Sequence, residues 1–210
     1  MDKYTETFET WNKIAMLYQD KFMELGLYDD TYDFVCNTIS KQNAKILEIG
    51  CGPGNITKYL LAKRPDFDIL GTDIAPNMVE LAKENNPTAS FEVMDCREID
   101  KLTQKFDGIV CGFCLPYLSQ SDSLKFIKYC SKLLNENGLI YISFVEGEPS
   151  KSHFQVGSSG DRVWFNYHLL DELEKQLLAN HFSQLNTFKI EYKKTVTAQE
   201  IHTIVTAQKK

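Results

Sequence analysis

Nowhere in the 210 residues does an apolar run approach the roughly 18 positions that a membrane-spanning helix needs; stretches such as Ile109 to Cys111 and Leu139 to Val145 are far shorter. No transmembrane segment and no membrane partner are expected. The opening residues, Met1-Asp2-Lys3-Tyr4-Thr5-Glu6, are acidic and lack an apolar core, so an ordinary secretory leader is not expected either and a cytoplasmic location follows. Cysteine is sparse: the six residues, at 36, 51, 96, 111, 114 and 130, are too few and too scattered for a disulfide scaffold in a chain of this length and read as reduced, mostly buried thiols. A positive balance is missing as well. With 23 Lys and Arg against 29 Asp and Glu, the net charge of -6 repels a nucleic-acid backbone. Only the tail leans basic, at Lys189, Lys193, Lys194, Lys209 and Lys210, as a solvated edge strand does. No internal repeat and no low-complexity segment is present, which removes solenoids and arrays. What remains is ordinary globular usage, 43% hydrophobic and 25% charged, in a length that suits a single domain.

Trp11, Ala15, Tyr18, Phe22 and Leu25 recur at helical spacing and predict one amphipathic helix ended by Gly26. A second helix is expected over about 30 to 40, with Phe34, Val35 and Ile39 inward. From Lys45 the pattern changes to short apolar runs alternating with helical stretches. Strands are expected at 46–49, 68–72, 90–94, 106–112 and 139–144, with helices after the first, second and fourth, the second opened by Pro76 and the third stopped at Asn137-Gly138. The stretch from Val145 to about Gly160 has the composition of a surface loop bordering the site. A helix over about 167 to 180 and two runs, 184–192 and 200–207, close the chain as an antiparallel hairpin. Such alternation predicts an α/β fold, a doubly wound, mostly parallel sheet with helices on both faces. Within one domain, residues 1–44 form a helical cap, 45–145 a core, and 146–210 a loop, helix and hairpin.

Open parallel sheets bind ligands beyond the carboxyl ends of their strands. After the first strand comes Glu48-Ile49-Gly50-Cys51-Gly52-Pro53-Gly54, a turn whose glycines admit close approach of an anionic ligand, or simply tight strand-to-helix packing. Asp73 ends the second strand, about 20 residues further on, where a carboxylate can accept from both hydroxyls of a ribose. Asp95 ends the third strand, where it can accept from the amine of an adenine; either aspartate could instead cap a helix. The dinucleotide fingerprint G-x-G-x-x-G needs a third glycine at position 55, and Asn55 is there, which disfavours a nicotinamide-dependent oxidoreductase.

The run Gly50 to Gly54 resembles the first motif of the class I S-adenosylmethionine-dependent methyltransferases, particularly the small-molecule type. Gly71-Thr72-Asp73-Ile74-Ala75-Pro76-Asn77-Met78 resembles the second, Val93-Met94-Asp95-Cys96 the third, Phe106 to Ser119 the fourth and Leu134 to Leu139 the fifth. The resemblance implies a Rossmann-like, seven-stranded sheet with the hairpin supplying its reversed strand. It implies S-adenosylmethionine as cofactor, S-adenosylhomocysteine as product and a small-molecule acceptor. It assigns Glu48, Gly50, Cys51, Gly52 and Gly54 to the cofactor turn, with the Cys111 backbone near the amino group. Asp73 would hold the ribose, Ile74 pack on the adenine, Asp95 and Cys96 meet the adenine edge, and Tyr18 cover the carboxylate or else simply pack on the helix face.

For the acceptor side, Phe113 and Tyr117 could stabilise a sulfonium through their rings. Relatives often carry a histidine where this chain has Pro116 and Tyr117, so the candidates for a base or an acceptor-orienting group are His153, Arg162, Tyr167 and His168. Arg162 with Trp164 and Phe165 would suit a carboxylate-bearing or aromatic acceptor. Cys111-Gly112-Phe113-Cys114 matches C-x-x-C, but no second pair completes a metal tetrad, and no metal is expected. A protein that binds the cofactor without catalysis remains an alternative.

Overall fold

The structure is a computed structural model that describes residues 2–157, 160–193 and 199–210; Met1 and Lys194, which entered the sequence reading, lie outside the described residues. In chain order the elements are α1 (Lys3–Lys13), α2 (Ala15–Phe22), α3 (Asp29–Thr38), β1 (Lys45–Ile49), α4 (Asn55–Lys63), β2 (Asp68–Asp73), α5 (Pro76–Asn85), β3 (Ser90–Val93), β4 (Phe106–Cys111), α6 (Gln120–Leu133), β5 (Leu134–Val145), β6 (His153–Val156), β7 (Arg162–Phe165), α7 (Leu170–Ala179), β8 (Phe182–Lys193) and β9 (Gln199–Lys209). Seven strands form one sheet in the order β3-β2-β1-β4-β5-β9-β8, and β6 and β7 form a separate two-stranded sheet. The strands from β3 to β5 are parallel to one another, and β9 alone is reversed, antiparallel to both β5 and β8. Strand order reverses direction between β1 and β4, and a crevice opens there beyond their carboxyl ends.

The central strands read as unbroken apolar runs because both faces are covered. On one face Leu47 and Ile49 pack with Phe126, Ile127, Leu173 and Leu177 from α6 and α7. On the other, Ile46 meets Val35, Cys36 and Leu60 from α3 and α4. Glu48 points to the second face, where it is buried among those apolar groups and accepts a hydrogen bond from the Thr57 hydroxyl on α4. Among the described residues, no helix is long and apolar enough to cross a membrane.

Four expectations need correction. The first amphipathic stretch is two helices broken at Ile14 (φ -97°, ψ 16°), and Gly26 opens a 3-10 turn instead of closing a helix. The break lets Trp11, Ala15 and Tyr18 gather against Ala75 and Met78 while α1 docks elsewhere. Phe34 is only partly buried, its ring 5.4 Å from that of Phe188 on β8. α6 ends at Leu133 and β5 starts at once; Asn137, not Gly138, takes the positive φ (61°), inside the irregular start of that strand. The stretch after Val145 is not all loop, since His153 to Val156 pairs with Arg162 to Phe165, partners that local composition does not reveal.

Candidate active site

The glycine-rich turn leaves β1 at the point where strand order reverses. Gly50, Gly52 and Gly54 all have positive φ, 69°, 53° and 83°, a conformation that costs other residues about 1 to 2 kcal/mol. The turn is held from below, where the Gly50 and Cys51 N–H groups donate to the Thr72 carbonyl at 2.8 and 2.9 Å. A Cβ on Gly50 would lie 2.9 Å from the Cβ of Cys114, so the turn and the segment after β4 close on each other. A Cβ on Gly54 would meet the Asn86 amide, whose nitrogen donates to the Gly54 carbonyl at 3.0 Å. Because that amide is buried and also donates to the Ala82 carbonyl, a Cβ would push it off both bonds, and Gly54→Ala is expected to cost more than the backbone strain of about 1 to 2 kcal/mol in urea denaturation. An unshifted midpoint would contradict the assigned turn geometry.

Asp73 stands at the end of β2. Its carboxylate accepts from the Gly52 N–H and the Ala75 N–H, both at 2.9 Å, which ties the glycine turn to the start of α5. Burial raises its pKa against the pull of those N–H groups. Asp95, after β3, is already engaged: the Arg97 Nε donates to its two oxygens at 3.0 and 2.9 Å and the Arg97 N–H to Oδ1 at 2.9 Å. The guanidinium in turn lies 4.1 Å from the Tyr4 ring centre. An adenine amine at Asp95 would therefore share the carboxylate with Arg97.

Over this crevice lies α1. Asp2 caps it by accepting from the N–H groups of Tyr4 and Thr5, and Tyr4, Thr7, Phe8 and Trp11 face inward together. The helix is pinned on all sides. The Tyr4 hydroxyl donates to Asp122 at 2.6 Å and accepts from the Ser119 N–H at 3.0 Å. Thr10 donates to the Arg162 carbonyl, Thr7 accepts from the Trp164 N–H, and Asn12 accepts two bonds from Asn77. Beneath it lies a cavity whose open space, mouth and adjoining solvent included, is about 880 Å³.

Gly50, Gly52, Asp73, Ile74, Asp95 and Cys96 line that cavity, and so do Tyr18, Phe113 and Tyr117. The Tyr18 ring lies 3.5 Å from where a Gly52 Cβ would stand. Phe113 takes a positive φ, 54°, and its N–H donates to the Ser143 hydroxyl. Glu48, Cys51, Gly54 and Cys111 do not border the cavity; they shape the turn and strand ends behind it. Burial pushes the Glu48 carboxyl up to about 8, with Thr57 opposing, and its Oε1 has no hydrogen-bond partner.

The four polar candidates of the acceptor side lie elsewhere. His153 is exposed, with Nδ1 2.7 Å from the Lys151 carbonyl. Arg162 is exposed and pairs with Glu6 on the outer face of α1, its guanidinium 4.1 Å from the Phe154 ring centre. His168 is fully buried between the Leu115 carbonyl at 3.0 Å and the Gln120 amide at 3.2 Å, and burial lowers its pKa, so it is a neutral packing group. Tyr167 packs against His153 and Phe165, also away from the cavity. Sequence reasoning missed Tyr4, Thr7, Phe8, Arg97 and Cys114 as lining residues. The 4, 7, 8, 11 spacing of α1 was the available signal, hidden by reading Trp11 into a helix that continued through Ala15 and Tyr18.

The residues therefore fit a nucleoside bearing an amino-acid tail: a glycine cradle, a buried carboxylate beside it, a second carboxylate further along and an aromatic roof. Comparison with known proteins agrees. A family model described as "Methyltransferase domain" matches residues 46–138. The chain is similar to the putative methyltransferase 235L of Invertebrate iridescent virus 6, 27% identical over 83% of this chain and 66% of that protein. It is similar to the malonyl-[acyl-carrier protein] O-methyltransferase of Acetivibrio thermocellus, 41% identical over 55% of this chain and 41% of that one, so it spans less than half of that relative. In fold it is similar to magnesium protoporphyrin IX methyltransferase from Synechocystis PCC 6803 with bound S-adenosylmethionine, at a TM-score of 0.75 and 16% identity, covering 100% and 98% of the two chains.

Proposed function

We propose that this chain is a class I S-adenosylmethionine-dependent methyltransferase and transfers the methyl group of that cofactor to a small-molecule acceptor. The observation that carries the acceptor reading is the roof. With α1 pinned over the crevice, the site is a roofed aromatic pocket that keeps a mouth to solvent, which suits a compact substrate better than a polymer. The net charge of -6 supports the same reading against nucleic acid. A cytoplasmic setting is in keeping with six cysteines that form no disulfide. The chain works as one domain, its first 44 residues serving as roof, residues 45–145 as cofactor frame and the remainder as support from outside the cavity, where Arg162 and Trp164 anchor α1.

The bound cofactor supplies an electrophilic methyl on a sulfonium. The protein's part is alignment and a dry site, worth up to ~7 to 11 kcal/mol in a bimolecular displacement. Gly50 and Gly52 let the amino-acid tail approach the backbone, Tyr18 covers it, and Asp73 holds the ribose hydroxyls. Phe113 and Tyr117 present rings to the positively charged centre, which favours the charged cofactor over its neutral product.

Calorimetric titration with S-adenosylmethionine, S-adenosylhomocysteine, NAD and NADP tests this reading. Binding of the first two alone, in the micromolar range, is the expected result. Binding of a nicotinamide nucleotide would overturn it, and binding of both S-adenosyl compounds with no turnover across an acceptor panel would leave a cofactor-binding protein.

A further inference from the structure

Once the cofactor residues are set aside, the wall that remains is notable for its lack of charge. Five aromatic residues, Tyr4, Phe8, Trp11, Phe113 and Tyr117, make up most of it, and the rest is small or apolar apart from the Thr7 hydroxyl and Arg97. Among the described residues, Arg97 is the single basic side chain on the cavity, and its guanidinium is already committed to Asp95 and stacked on Tyr4. No cation is left to pair with a carboxylate or phosphate acceptor. A proton acceptor is equally hard to find. Burial raises Tyr18 and Tyr117 well above the ordinary phenol value, and the two histidines and the arginine proposed from sequence lie outside the chamber.

One polar group is conspicuous. Trp11 borders the cavity edge-on to Tyr18 and Tyr117, each at 5.5 Å between ring centres, and its indole N–H is buried with no hydrogen-bond partner. A buried donor left unmade is costly, and a ligand that brings an acceptor atom relieves that cost. Aromatic walls on several sides favour a flat π-system, which stacks or meets ring edges.

We propose that the acceptor is an uncharged, planar nitrogen heterocycle, methylated on a ring nitrogen, with a ring carbonyl or second ring nitrogen accepting from the Trp11 indole. This rests on the methyltransferase reading and narrows it. The chemistry suits a site without a base. The ring-nitrogen lone pair attacks the methyl carbon, the new N–C bond forms as the C–S bond breaks, and the bonding pair leaves with sulfur. The positive charge passes from sulfonium to ring, staying among the same aromatic faces throughout. Where the ring carries another N–H, that proton leaves afterwards to water, so no side chain has to remove it first. A hydroxyl or carboxylic acid acceptor would ask for a base or a cation that the chamber does not offer.

Quinazolin-4-one serves as probe, with quinoline-4-carboxylate as its anionic counterpart and a cyclohexane carboxamide as a non-aromatic control. S-Adenosylhomocysteine is titrated first; if it fails to bind, the cofactor reading falls, independently of the acceptor class. With S-adenosylhomocysteine bound, calorimetry is expected to show the quinazolinone binding about 10-fold or more tighter than either comparison compound. Trp11→Phe, which keeps the ring and removes the donor, is expected to weaken the quinazolinone about 10-fold while changing S-adenosylhomocysteine less than about 2-fold. Equal or better binding of the carboxylate, no quinazolinone binding, or an unchanged affinity in Trp11→Phe would each overturn the proposal. A loss of both ligands in Trp11→Phe would move the indole to the cofactor and overturn it too.

Discussion

Replacing Glu48 with Gln is expected to abolish a large pH dependence of the fold's stability between about pH 4.5 and 8. The carboxyl ordinarily ionises at 4.5; inside the fold, burial beneath β1 holds it protonated up to about 8. A group whose folded value is raised contributes stability that is complete below its unfolded value and lost as pH rises through the folded one. Wild-type stability should therefore fall between about pH 4.5 and 8 and level off above. At ~1.4 kcal/mol per pH unit the advantage of Glu48→Gln should grow by roughly 3 to 5 kcal/mol across that window. The isosteric amide keeps an oxygen for the Thr57 hydroxyl, so the variant should fold. His168 acts in the opposite sense: its folded value is lowered, so the stability it contributes is lost as pH falls below the ordinary value of 6.5. Because His168 is common to both proteins, subtracting their urea-derived stabilities at each pH isolates Glu48. Two parallel curves would remove the buried, protonated carboxyl from the account.

The second large effect is expected at Asp73. Asp73→Asn should weaken S-adenosylmethionine and S-adenosylhomocysteine alike, by about 10- to 100-fold, because each charge-assisted hydrogen bond to a ribose hydroxyl is worth about 1.5 to 3 kcal/mol. The equality of the two losses is the diagnostic part, since both compounds carry the same ribose and differ only at sulfur. Asparagine retains one oxygen for Gly52 or Ala75, both of which donate to the wild-type carboxylate at 2.9 Å, so the turn keeps part of its support. Calorimetry on a variant with a native circular dichroism spectrum decides it. An unchanged dissociation constant would take the ribose away from Asp73.

Much of the frame was legible because its causes are local. Ile46, Leu47 and Ile49 announce a strand covered on both faces, and Gly50, Gly52 and Gly54 announce a turn that needs positive φ. Pro76 correctly opened α5. What stayed hidden depends on contacts distant in the chain. The strand at His153 to Val156 exists only because Arg162 to Phe165 pairs with it and α1 packs on the pair. The break at Ile14 has no proline or glycine to mark it; it satisfies α1 on one side and α5 on the other. His153, Arg162 and His168 carried the right chemistry for an acceptor site, but residue type does not say which way a side chain faces, and all three turned to Lys151, Glu6 and Leu115. The aromatic roof was written in the spacing of Tyr4, Phe8 and Trp11 and became readable only with the helix boundary known.

The roof's ties also set an order of assembly. Tyr4 waits for Asp122, 118 residues later, Thr10 for Arg162, 152 later, and Thr7 for Trp164, 157 later. At the ~5 to 20 residues per second of synthesis, α1 leaves the ribosome on the order of ten seconds before its last anchor exists. Through that interval Trp11 can settle on Ala75 and Met78, and Asn12 on Asn77, but the Thr7 and Thr10 ties have no partners yet. The segment made early is thus finished late, and the roof gains its last two anchors only when β7 has been made, after the parallel strands β1 to β5 have left the ribosome.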